Sequence, residues 1–206
     1  VQSALLEAMQ EKQVTIGDET FPLAEPFLVL ATQNPIEQEG TYPLPEAQLD
    51  RFLMHVRVSY PDAGAEQAIL RLARSEAGGT HSRPEGTVSQ ADIFSARKAV
   101  LDIHMAPSVE EYIIQLIVGT REPDHYDSEL AGWLEYGASP RATIALDRCA
   151  RANAWIAGRD YVSPDDVQAV ALDCLRHRLI VSFEAEAAGV TSDQIIERLI
   201  EHIPVA

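Results

Sequence analysis

Lysine is nearly missing from this sequence: Lys12 and Lys98 are the only two in 206 residues, so almost all positive charge is arginine. Positive charge is scarce altogether, with 16 Lys and Arg against 32 Asp and Glu and a formal net charge of −16. Neutralising a phosphate backbone takes clustered cations, so this balance argues against a nucleic-acid binder. Cysteine is reduced to Cys149 and Cys174, each in an apolar helical run. Both read as small core residues in a reducing, cytoplasmic setting rather than as parts of a disulfide framework. No run of about 18 apolar residues occurs, which excludes a spanning helix. The start, Val1 to Glu7, lacks the basic segment of a signal peptide. The six histidines include no His-x-x-x-His pair, so no protein-held zinc site is expected. A G-x-x-x-x-G-K-[ST] phosphate loop is also absent.

What remains is an ordinary globular composition, 46% hydrophobic and 23% charged. Val1, Leu5 and Met9 recur at helical spacing with no cap ahead of them, so the chain opens inside an amphipathic helix. Gln13–Ile16 and Phe21–Leu23, separated by Gly17-Asp18-Glu19-Thr20, predict a short hairpin. Residues 27–32 are continuously apolar, which predicts a strand buried on both faces of a parallel sheet. Pro45 suits the first turn of a helix carrying Glu46 to Phe52, and Met54–Tyr60 alternates like an edge strand.

After Pro61 the pattern becomes helical, placing a boundary between residues 1–60 and an all-helical unit over 61–206. Asp62 caps one expected helix, to about Glu76. Ser89 with Asp92 and Ser108 with Glu111 have capping-box spacing. Ser139-Pro140 opens a long helix to about Ala157, with Gly158 as its stop. Ser163-Pro164 repeats that signal for a helix through Leu179, and a last helix starts at Thr191 or Ser192.

Three residues could carry chemistry. Asn34 follows the apolar strand directly, where side chains leave an open α/β sheet and face a crevice. Its amide can accept from a water and donate to a phosphate oxygen, although an Asn-Pro pair by itself is also a turn former. Arg141 falls in the first turn after Ser139-Pro140, where free backbone N–H groups and the positive helix end favour an anion. By spacing alone Arg51, in Leu49-Asp50-Arg51-Phe52, is a solvated surface charge. Glu37 and Glu39, flanking Asn34, read as loop solubility.

The wording Ala31-Thr32-Gln33-Asn34-Pro35-Ile36-Glu37-Gln38-Glu39-Gly40, then Leu49-Asp50-Arg51-Phe52, then Gly137-Ala138-Ser139-Pro140-Arg141-Ala142, resembles the AAA+ ATPases of the MoxR branch. Asp160–Val167 and Leu175-Arg176-His177-Arg178-Leu179 add to the resemblance, which covers nearly the whole chain and thins between residues 74 and 136.

The resemblance implies a partial P-loop NTPase core of α/β class, a parallel-sheet remnant with a β-hairpin, followed by an all-α lid. It implies Asn34 as sensor 1, Arg51 as an arginine finger reaching a neighbouring subunit's nucleotide, and Arg141 as the sensor 2 arginine of its own subunit. Asp50 is expected to orient Arg51. ATP and Mg²⁺ are the implied cofactors, with no metal held by this chain. The phosphate loop and the acidic Walker B pair would lie upstream of Val1, and the chain without them is expected to be inactive by itself.

The implied activity is ATP-driven, chaperone-like remodelling or maturation of metalloenzymes and other complexes. Implied partners are copies of itself in a ring, hexameric in the parent, a von Willebrand factor A-domain protein, and client proteins. A magnesium-chelatase motor subunit shares much of the wording. A non-enzymatic helical interaction module is the alternative of another class.

Overall fold

The computed structural model describes residues 2–34, 44–79 and 86–205, with side chains from residue 7 onward in the first of these stretches. The segment from Pro35 to Pro43, with Glu37 and Glu39, lies outside the described residues, as does part of the loop expected before Gly86. Helix α1 (Gln2–Glu11) leads into a hairpin of β1 (Gln13–Ile16) and β2 (Glu19–Pro22). The pairing runs Gln13 to Pro22 and Ile16 to Glu19, so the turn is two residues, Gly17-Asp18. Gly17 has φ 64, the left-handed value that a tight hairpin turn asks of its first residue.

Residues 27–34 form no regular element and pair with no strand among the described residues. Phe27 and Val29 are half-buried while Leu28 and Leu30 are each 84% exposed. The expectation of a strand buried on both faces is therefore corrected. A continuous apolar run needs neighbours on both sides and a cover on each face, and the described residues supply neither. The edge strand expected over 54–60 likewise does not form, with no strand pairing there among the described residues and Val58 92% exposed.

Short α2 (Glu46–Leu49) follows Pro45 and ends in the turn that carries Asp50 and Arg51. Helices α3 (Ala63–Ala77) and α4 (Gln90–Asp102) start at the Asp62 cap and the Ser89–Asp92 capping box, as the spacing predicts, yet neither buries a residue. The hydrophobic core begins at Ile103 and runs to Ile203, with Met54 the one earlier residue packed against it among those described. It is built by α5 (Pro107–Arg121), α6 (Ser128–Trp133), α7 (Pro140–Ile156), α8 (Pro164–Leu175) and α10 (Ser192–His202), with the short α9 (Phe183–Ala187) outside that cluster.

Three details differ from the sequence pattern. Helix α5 starts at Pro107, with Ala106 as an N-cap that has no side-chain bond, so the Ser108–Glu111 box does not form. Proline at the first helical position needs no donor there, which lets the helix begin two residues earlier than that box would set it. A strand pair, β3 (Leu134–Tyr136) with β4 (Ile180–Val181), interrupts the helical unit. Helix α8 stops at Leu175 rather than Leu179, freeing Arg176, His177 and Arg178 to turn toward residues 50–55.

Candidate functional site

The Ser139-Pro140 signal works as chemistry requires. Ser139 Oγ accepts from the Arg141 N–H at 3.2 Å, fixing the first turn of α7. The same hydroxyl donates to the Asp50 carboxylate, at 2.8 Å to Oδ2. Asp50 Oδ2 also lies 3.9 Å from Arg141 Nε. An anion at the positive end of α7 is thus partly supplied from within the chain, by Asp50.

Behind α7, Gly137 makes this approach possible. A Cβ at Gly137 would stand 2.2 Å from the Thr120 backbone oxygen. Thr120, buried, accepts the Ala138 N–H at 2.9 Å and donates to the Ile117 carbonyl at 2.7 Å. Arg121 donates to the Ala138 carbonyl at 2.8 Å, so Ala138, just before Ser139, is held through both its N–H and its carbonyl.

Asp50 meets Arg178 as well: Nε donates to Oδ1 at 3.0 Å. Its side chain is 2% exposed. The remaining Arg178 donors go to the backbone carbonyls of Asp50 at 3.1 Å, Phe52 at 2.6 Å, Leu53 at 3.4 Å, and Cys174. All five N–H groups of the fork are thereby used. Burial pulls the Arg178 guanidinium below its ordinary range, and Asp50 opposes that shift. His177 Nε2 lies 3.1 Å from the Phe52 carbonyl. A carbonyl can only accept, so Nε2 carries the proton and Nδ1, buried, has no partner. Burial, then the Arg178 charge, lower the His177 pKa to about 4. Arg176 completes the set, donating to the His55 carbonyl while pairing with Asp173 and Asp193.

Arg51 and Arg141 line one cavity of about 380 Å³ together with Met9, Gln10 and Glu11 of α1. With its amide oxygen turned inward, Gln10 accepts from the terminal nitrogens of Arg51. Arg51 Nε is buried and has no partner. Two arginines lining one cavity, one with an unused donor, fit a phosphoryl group or similar oxyanion. For Mg²⁺ the described residues do not fit, since they hold no group of three or more His, Cys, Asp or Glu side chains able to bind a metal ion.

Residues 1–54 match the model of the ATPase family associated with various cellular activities (AAA), and residues 131–199 match that of the AAA lid domain. The chain is 40% identical over 204 residues to Chaperone MoxR1 of Mycobacterium tuberculosis, covering 98% of this chain and 53% of that protein. It is 41% identical over 204 residues to the uncharacterized protein YeaC of Bacillus subtilis, covering 99% of this chain and 61% of that protein. A crystal structure from Cytophaga hutchinsonii, described as an ATPase by assignment, superposes with a TM-score of 0.93 at 48% identity. That match covers 100% of this chain and 62% of the other.

The chain belongs to the MoxR family of AAA+ ATPases. Its fold is a partial AAA+ core followed by a helical lid, and it spans between about half and three fifths of the relatives it matches. AAA+ ATPases as a family hydrolyse ATP with Mg²⁺ and assemble as rings.

In this MoxR-family chain, Arg51 and Arg141 come together, whereas Asn34 does not join them. Asn34 is exposed at the end of the run 27–34 and is not among the residues lining the cavity. Asp50, expected to orient Arg51, has its carboxylate bound to Ser139 and Arg178 and lying near Arg141, because those donors converge on it. Sequence reasoning missed Arg178 and His177 as contributors. The available signal was two arginines flanking a histidine at a helix end in a cation-poor chain. That pattern does not reveal that the side chains are buried.

Proposed function

We propose that this chain supplies the arginine side of an ATP-hydrolysing site in a MoxR-type, chaperone-like remodelling ATPase. The observation that carries the reading is the shared cavity of Arg51 and Arg141. Planar, permanently charged guanidinium groups match the charge spread over phosphoryl oxygens in a loose transition state. Because both arginines face one space in one chain, we read them as acting on the same nucleotide. This replaces the split assignment of Arg51 to a neighbour's nucleotide and Arg141 to its own. Asn34 keeps its proposed role of orienting the attacking water.

The anchoring of ATP and Mg²⁺ falls to a phosphate loop and acidic pair that this sequence does not contain, so the chain alone is proposed to be without ATPase activity. Maturation of metalloenzymes or complexes, a von Willebrand factor A-domain partner, a hexameric ring and a cytoplasmic setting belong to the same proposal. The helical module alternative loses ground because nothing in a simple docking role calls for two arginines at one cavity.

The test is binding of inorganic tripolyphosphate to the 206-residue chain. Arg51→Ala and Arg141→Ala are each expected to weaken it by about 10- to 100-fold, the usual range for charge-assisted bonds. Unchanged affinity in either variant overturns the reading.

A further inference from the structure

Arg51 is not held in place by its own contacts. Among the described residues its Nε has no partner, and its terminal nitrogens meet the exposed Gln10 amide and nothing else. What holds it is the backbone on either side. Three consecutive residues at the end of α8 donate to the carbonyls of residues 50–55: Arg178 to Asp50, Phe52 and Leu53, His177 to Phe52, and Arg176 to His55. The reverse bond, His55 N–H to the Asp173 carbonyl at 2.8 Å, closes the seam. Asp50 then ties the same turn to Ser139 and the start of α7, which carries Arg141.

We infer that Arg178 and His177 are positioning residues that fix the turn bearing Arg51 to the lid, so that Arg51 and Arg141 are presented to an anion as one rigid pair. The inference rests on the proposed reading of the cavity. Arginine is needed at 178 for a geometric reason. One planar fork reaches a carboxylate and four carbonyls at once, which a lysine ammonium with three donors on a flexible stem does not reproduce. At position 177 the requirement is milder: a single donor at the depth of Nε2. Glutamine supplies one, with its amide nitrogen at a similar reach.

Neither residue touches the cavity, so the test separates positioning from contact. The 206-residue chain is titrated with inorganic pyrophosphate by NMR, following the Arg51 Nε–H signal, for the unaltered chain and for Arg178→Lys, His177→Ala and His177→Gln, with Arg51→Ala as reference. The expected result is a loss of about tenfold in affinity for Arg178→Lys and a smaller loss for His177→Ala, with a shifted and broadened Arg51 signal in both. His177→Gln is expected to restore both readouts. If Arg178→Lys fails to fold, the His177 pair decides alone: loss with rescue by glutamine supports the inference. Unaltered affinity and signal in a folded Arg178→Lys or in His177→Ala overturn it, as does loss without rescue by glutamine. Pyrophosphate binding that survives Arg51→Ala is a different failure, of the cavity reading itself.

Discussion

Arg178 and Asp50, 128 residues apart in sequence, meet with Nε 3.0 Å from Oδ1, and the pair joins the end of α8 to the turn that carries Arg51. An ion pair of this kind is costly to break from one side, because the surviving charge stays out of water. Arg178→Ala is expected to lose about 3–5 kcal/mol of stability by urea denaturation, with four carbonyls losing their donor in addition. Asp50→Ala loses less, about 2–3 kcal/mol, since the carbonyls still face Arg178. The double variant falls short of the sum, and strictly additive losses would show that the pair is not coupled.

Acid sensitivity follows from His177. Its folded pKa is lowered to about 4. Unfolded histidine titrates near its ordinary value of about 6.5. The folded state therefore resists protonation, and the stability this contributes is complete above the unfolded pKa and lost as pH falls toward 4. His55 shifts in the same direction, mainly through burial. Between pH 7 and 4.5 the His177 contribution is about 1–2 kcal/mol after discounting for its partial exposure. His177→Gln is expected to flatten that part of the urea-midpoint profile while keeping the bond to Phe52. An unchanged pH slope would contradict the assignment.

A third prediction concerns Gly137. Adding one methyl group would drive Cβ into the Thr120 backbone, which has no side-chain freedom to yield. Gly137→Ala is expected to cost at least about 2 kcal/mol in thermal unfolding. It should also shift the amide resonance of Ser139, the cap that aims Arg141. Gly132→Ala, where an added Cβ meets nothing within 4 Å, is the matched control and should leave that resonance in place.

Asp166 makes a separate claim about the lid. It is 1% exposed and receives Arg159, Asn153 and the Ser163 cap. The Arg159 hydrogen bonds hold its carboxyl well below the usual carboxylate range. Its stabilising effect is present above the ordinary carboxylate pKa and declines as pH falls below it. Asp166→Asn is expected to destabilise by about 2–4 kcal/mol at neutral pH and to lose its penalty in strong acid. A penalty that persists unchanged at low pH would contradict the ionised state.

Much of the helical part of the chain was legible because its signals are local. Asp62, Ser89 with Asp92, Ser139-Pro140 and the start at Thr191 or Ser192 are each read from a few neighbouring residues, and each helix begins there in the structure. Ser108 failed for an equally local reason, the proline beside it. The run 27–32 misled because burial in a sheet depends on neighbours that a strand's own sequence does not contain. Arg51 and Arg141 were found by resemblance and local physics, but their sharing of a cavity depends on contacts across 90 residues. Asp50 was placed with its chain neighbour Arg51, whereas long-range donors determine where its carboxylate goes.

The central claim is that Arg51 and Arg141 serve one phosphate. A crystal structure of this chain with inorganic pyrophosphate tests it most directly. The account predicts the anion in the cavity against α1, with donors of both guanidinium groups within about 2.7–3.1 Å of the same phosphoryl group. An anion bound elsewhere, or held by one arginine while the other faces away, would contradict it.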